Sequence, residues 1–131
     1  MVIGHAEQGQ ANSFAVCFLR GYEYSQKKQY DFAVIEYSKA IELKPANAMC
    51  YIYRAYAYFE LGQYELALRD CNKAIVLNPN NDAFYSERGY AGWKNKMFSQ
   101  SSADFTKAIE LNPKQAHYYN GHGNVYRCMG K

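Results

Sequence analysis

Pro45, Pro79 and Pro113 stand 34 residues apart, and each closes a nearly identical phrase: KAIELKP, KAIVLNP and KAIELNP. A fixed period of this length restricts a chain to stacked copies of one supersecondary unit, since no single copy can bury its own apolar face. Residues 48–81 show the unit most fully, as AMCYIYRAYAYFELGQYELALRDCNKAIVLNPNN. Two runs with the apolar period of a helix are separated by Gly62 and stopped by Pro79. Strand signals are missing, with no alternating apolar run. The period therefore predicts an all-α chain.

The spacing predicts helices at 14–27, 30–43, 48–61, 64–77, 82–95, 98–111 and 116–129. Small residues fall in register where paired helices must approach: Gly21, Ala55, Gly89 and Gly123 on the first helix of each pair, and Ala33, Ala67, Ala40, Ala74 and Ala108 on the second. Tyr24, Tyr58, Tyr37 and Phe105 are expected to fill the space these leave. Each proline hands over to a residue that caps the next helix, Asn47 or Asn81, while Asn12 or Ser13 would cap the first. The third copy departs from the pattern. Gly92 stands where Tyr24 and Tyr58 stood and Ser101 where the others carry Ala, so helix 82–95 holds two glycines, each costing about 1 kcal/mol against Ala. It is expected to be the loosest of the full copies.

These signatures, Cys17-x-x-Arg20-Gly21-x-x-Tyr24, Ala33-x-x-x-Tyr37-x-x-Ala40 and Pro45, with Tyr51, Arg54, Ala55, Tyr58, Gly62, Ala67, Ala74 and Pro79, and again Tyr85, Arg88, Gly89, Phe105, Ala108 and Pro113, resemble the tetratricopeptide repeat family. The resemblance covers residues 14–131. It implies a right-handed α-solenoid of stacked helix-turn-helix repeats: a flexible leader at 1–13, repeats at 14–47, 48–81 and 82–115, and at 116–131 the first helix of a partial fourth repeat or a cap. Asn120, His122, Asn124 and Arg127 give that last helix the polar face of a cap. Gly121 and Gly123 weaken it, which suits a piece of a longer array better than a finished end.

Composition narrows the function. The net charge is +3, with 15 basic residues interspersed among 12 acidic ones, far from a nucleic-acid stripe or a polybasic membrane patch. No apolar run approaches a membrane span, and the apolar stretch at 14–19 lacks the basic leader and cleavage site of a signal peptide. Cys17, Cys50, Cys71 and Cys128 form no CxxC pair. Without an export signal they read as reduced thiols of a cytoplasmic chain, with Cys50 and Cys128 partly exposed. His117 and His122 are five apart and lack a further ligand, nothing phases Ser, His and Asp into a triad, and no glycine loop cradles phosphate. No metal, no cofactor and no enzymatic activity are expected.

Arg20, Arg54 and Arg88 form one column at the repeat period, continued by His122, and Glu36, Asp70 and Asp104 form another 16 residues later. Alone, a row of arginines suggests anion capture. The matched phasing argues instead for one ion pair bridging the two helices of each repeat, because buried arginines are normally paired.

Tyr22, Tyr56 and Tyr90 make a third column, ending in Asn124. In helix 48–61 the core stripe is Tyr51, Ala55 and Tyr58, while Met49, Ile52, Tyr56 and Phe59 make a second apolar stripe beside Tyr53. The family resemblance places Phe18, Tyr22, Ile52, Tyr53, Tyr56, Phe59, Tyr90 and Trp93 in or near a concave groove that holds extended peptides or partner helices. Tyr and Trp suit such a surface; the alternative is that the rings only pack along the stack. One groove subtype in the family clamps the acidic C-terminal tails of chaperones with Lys, Asn and Arg. The matching positions here are Phe18, Tyr22, Tyr53, Ala83 and Glu87, which disfavours that ligand. An asparagine ladder of the sugar-transferase kind is replaced by Leu19, Tyr53, Glu87 and Gly121. The expected function is a non-catalytic scaffold or adaptor that binds another protein. The alternatives are a self-assembling module, homo-oligomeric through its terminal helix, or the repeat segment of a larger multidomain protein.

Overall fold

The computed structural model describes residues 13–130 as seven α-helices, with no strand among them. They are α1 (Phe14–Gln26), α2 (Tyr30–Leu43), α3 (Ala48–Glu60), α4 (Tyr64–Leu77), α5 (Asp82–Lys94), α6 (Phe98–Leu111) and α7 (Ala116–Cys128). The expected leader lies, but for Ser13, outside the described residues. Each odd-numbered helix ends one residue earlier than its apolar period suggests, because a left-handed residue closes it. Lys28, Gly62 and Lys96 have φ of 60°, 77° and 63°. The next amide then turns back onto the helix: Gln29, Gln63 and Met97 donate to the carbonyls of Tyr24, Tyr58 and Gly92 at 2.8–2.9 Å. This closure satisfies end carbonyls that would otherwise lack partners. Of these three, only Gly62 adopts it without steric cost.

The opposite ends are held by side-chain caps. Ser13 accepts from the Val16 amide at 3.2 Å, Asn47 from Cys50 at 3.4 Å and Asn81 from Ala83 at 2.9 Å. A second device recurs at the same period. The hydroxyls of Tyr51, Tyr85 and Tyr119 donate to the carbonyls of Pro45, Pro79 and Pro113, six residues back, tying each new helix to the turn before it.

The core runs along the stack as small residues facing rings. Ala33, Ala40, Ala55, Ala67, Ala74 and Ala108 are fully or almost fully buried, as are Tyr37, Phe84 and Phe105. A Cβ added at Gly21 would come within 2.6 Å of the Tyr37 ring, and one at Gly89 within 2.9 Å of Phe105, so both positions admit no larger residue without displacing a buried ring. Tyr24 and Tyr58 are only half-buried; Tyr24 lies against Phe32 near the surface, with ring centroids 5.3 Å apart. At the far end the expected close approach moves by two residues. A Cβ at Gly123 would meet only the Arg127 guanidinium, at 3.8 Å, whereas a Cβ at Gly121 would meet Phe105 at 2.5 Å. Ser101, the departure in the third pair, is buried and donates to the Gly89 carbonyl at 2.6 Å, so its hydroxyl is not left unsatisfied.

The arginine column does more than bridge pairs. Arg54 donates through Nε and Nη2 to both oxygens of Asp70 at 2.7 Å, and through Nη1 to Ser38 Oγ at 3.0 Å. Arg88 grips Asp104 at 2.8–3.1 Å and Asn72 Oδ1 at 3.0 Å. Each guanidinium thus fastens its own pair and reaches back to the preceding one. His122 continues the column with Nε2 3.4 Å from Thr106 Oγ1 and 3.3 Å from Ser102 Oγ. The first pair differs from expectation. Where a bridge from Arg20 was expected, Glu36 takes Lys39 on its own helix at 3.3 Å, and its Oε1 is buried without a partner. A glutamate, one methylene longer than the Asp of the other pairs, turns along its own helix here.

Each helix packs against its chain neighbours. Beyond that, α1 touches α3, α3 touches α5 and α5 touches α7, while the even-numbered helices do not touch one another. The odd row is therefore the crowded inner side of the bend. No described helix is long and apolar enough to cross a membrane.

Candidate functional site

On the inner row, a pocket of about 300 Å³ opens between three successive odd helices. It is lined by Tyr22, Ser25 and Gln26 of α1, by Met49, Ile52, Tyr53 and Tyr56 of α3, and by Ala83 and Glu87 of α5. The α3 residues recur at i, i+3, i+4 and i+7, one continuous stripe. The opposite stripe of the same helix, with Tyr51 and Ala55, faces α4 and the core. Helix α3 is thus apolar on two sides, and on the pocket side Met49 and Tyr56 stay exposed while Ile52 is buried with the core.

Of the eight residues expected in the groove, the structure gathers Tyr22, Ile52, Tyr53 and Tyr56 around this pocket. Tyr22 and Tyr56 remain about 40% exposed, the Tyr22 and Tyr53 rings meet edge-on at 6.2 Å, and burial pushes the Tyr56 phenol up to about 12, with Glu60 adding to it. The other four lie elsewhere. Phe18 packs behind Tyr53, edge-on at 5.0 Å, and against Tyr37 at 5.7 Å. Phe59 lies on Tyr64 at 5.6 Å. Tyr90 lies edge-on to Phe105 at 4.9 Å and donates to the His117 carbonyl at 3.0 Å. Trp93 donates its Nε1–H to Cys128 Sγ at 3.2 Å.

From the sequence, Glu87 stood only as a position that could neither clamp an acidic tail nor continue an asparagine ladder. In the structure it is a half-buried carboxylate at the pocket wall. Burial raises its pKa to about 7, and the nearby charge of Glu60 adds to the rise. A signal existed in the 34-residue register: Glu87 is the only acid in the column Leu19, Tyr53, Glu87, Gly121.

The cysteines offer no chemistry at this site. Cys17, Cys50 and Cys71 are buried free thiols and Cys128 is exposed. Cys50 was expected to be partly exposed, but its side chain packs into the interface with α1 and α2, and burial pushes its thiol up to about 11. No cluster of metal-ligating side chains occurs among the described residues.

Sequence models of the tetratricopeptide repeat match residues 48–81 and 83–115, and a TPR repeat model matches residues 21–62. No curated protein sequence matches the chain. Among solved structures, the TPR domain of OM64 from Arabidopsis is 30% identical, with a TM-score of 0.85 over 91% of this chain and 98% of that one. The first TPR of Spaghetti (RPAP3), bound to the HSP90 peptide SRMEEVD, is 28% identical with a TM-score of 0.87, covering 90% of this chain and 94% of that one. The second TPR domain of human RPAP3, in complex with the HSP70 peptide SGPTIEEVD, is 26% identical with a TM-score of 0.82, covering 91% and 97%. The fold and the inner-row pocket define an α-solenoid of paired-helix repeats. The chain belongs to the tetratricopeptide repeat family.

Proposed function

We propose that the chain is a non-catalytic adaptor whose inner row holds an extended segment or a helix of a partner protein. The observation that carries this reading is the pocket shared by α1, α3 and α5, where two tyrosine rings stay exposed although the fold covers rings of the same kind elsewhere. A row of preformed pockets binds without ordering the scaffold, so little entropy is lost on its side. Exposed apolar surface gathered in one place is the usual mark of such a contact. The solved relatives that hold HSP90 and HSP70 peptides support protein binding as the role.

Those two peptides end in Glu-Glu-Val-Asp. Such an acidic tail does not suit this pocket, where Glu87 supplies a negative charge and no lysine or arginine lines the wall. A second reading, association of copies, is favoured by the exposed Tyr119 and Tyr126 on α7. Light scattering over a concentration series separates the two. A monomer whose captured partners are lost in the Tyr22→Ala, Tyr56→Ala double variant, with helicity unchanged by circular dichroism, supports the adaptor. A concentration-dependent dimer, or identical partners with both proteins, contradicts it.

A further inference from the structure

Building on the concave-face reading, we propose that the pocket between α1, α3 and α5 receives a lysine or arginine side chain of the partner segment, its stem among Tyr22, Ile52, Tyr53 and Tyr56 and its charge against Glu87.

The lining carries one ionisable charge, and it is negative. Glu87 makes no ion pair and no side-chain hydrogen bond within the described residues. The groups that act on it or feel its charge are Glu60 and Tyr56 of α3, Cys71 of α4, Tyr90 of its own helix α5 and Tyr118 of α7. None is a cation. The adjacent Arg88 is committed to Asp104 and Asn72 on the other side of α5.

Three kinds of occupant can be weighed by charge. An apolar side chain would bury the carboxylate further with nothing to pair it, which is costly. An acidic one would bring a third negative charge to Glu87 and Glu60. A lysine or arginine stem is apolar enough to lie along Ile52 and the rings, and its head meets both a carboxylate and tyrosine faces that attract cations. The raised pKa of Glu87 fits this order, since it marks a carboxylate that lacks the cation which would hold it ionised.

The test is a random peptide library displayed on phage and selected on the whole chain, on E87Q, on E87K and on the Tyr22→Ala, Tyr56→Ala variant, with folding followed by circular dichroism. The expected wild-type pool carries lysine or arginine at one aligned position. A synthetic peptide from that pool should bind E87Q roughly tenfold or more weakly, and E87K should select acidic residues at the same position. Wild-type affinity should fall several-fold from about pH 8 to about pH 5.5 as Glu87 takes up its proton, while binding to E87Q stays flat. Peptides without a basic position, peptides with acidic C-termini, or equal binding to E87Q overturn this inference. They leave the concave-face reading standing if the double alanine variant loses them. Failure to enrich any peptide over the double alanine variant overturns both.

Discussion

The two ends of the inner row carry the same tyrosine column and treat it in opposite ways. Tyr22 and Tyr56 stay exposed, whereas Tyr90 lies on Phe105 and is hydrogen-bonded to His117. The cause is the residue that the next odd helix sets against the column Tyr37, Cys71, Phe105. At the first step Tyr53 covers Tyr37, with centroids 5.9 Å apart, and holds Tyr22 off it. At the second the position is Glu87; burial raises the Cys71 pKa, and the charge of Glu87 adds to it. At the third the position is Gly121, which leaves the face of Phe105 open, and Tyr90 fills it. Tyr118, donating to Asp82 at 2.5 Å, and Trp93, donating to Cys128, close the same end. A repeated sequence position thus sets where a side chain stands. The neighbouring copy decides whether it is available.

The largest expected effect tests the frame on which both ends hang. Arg54→Ala should lower stability by about 2–4 kcal/mol, because it leaves Asp70 buried and unpaired and also releases Ser38; an unchanged melting temperature would mean the guanidinium holds nothing. Gly121→Ala should cost about 1–3 kcal/mol by driving a methyl group into Phe105. If denaturant unfolding shows no loss, the packing that separates the two ends is misassigned. Tyr90→Ala should cost about 1–2 kcal/mol through its ring contact and hydrogen bond, and Tyr56→Ala clearly less. Equal losses would erase the contrast.

Glu87 gives a pH signature. Its folded pKa of about 7 exceeds the ordinary value of 4.5, so the folded state keeps a proton that the unfolded state releases. Stability contributed by this group is complete below about pH 4.5 and declines as pH rises through about 7. Allowing for the residual exposure of the side chain, Glu87→Gln should be the more stable protein by about 1 kcal/mol at pH 8 and no more stable at pH 4. A gain that does not depend on pH would show the carboxylate is not strained. Smallest of all, Lys96→Gly should gain up to about 1 kcal/mol by relieving the left-handed turn, offset in part by the flexibility glycine adds to the unfolded chain.

Much of the architecture was legible because the 34-residue period repeats its own evidence. The prolines, the asparagine caps, the small residues and the arginine and aspartate columns each occur in more than one copy; Asn47 and Asn81 cap their helices, and Arg54–Asp70 and Arg88–Asp104 form ion pairs. What escaped reading were contacts that depend on which residue a neighbouring copy presents. Glu36 turned to Lys39, three residues on along its own helix, a contact that the repeat spacing cannot reveal. Lys28 and Lys96 occupy the conformation that Gly62 advertises, and their residue type conceals it. Glu87 drew attention only as a failed clamp or ladder position, because the burial that gives it character comes from helices on either side.

The central claim is that the space between α1, α3 and α5 is kept open for a side chain from another protein. A crystal structure of the whole chain with a selected peptide tests it most directly. The account predicts peptide density between Tyr22, Tyr56 and Glu87. A peptide bound on the even-numbered helices, or that space filled by another stretch of the same chain, would contradict it.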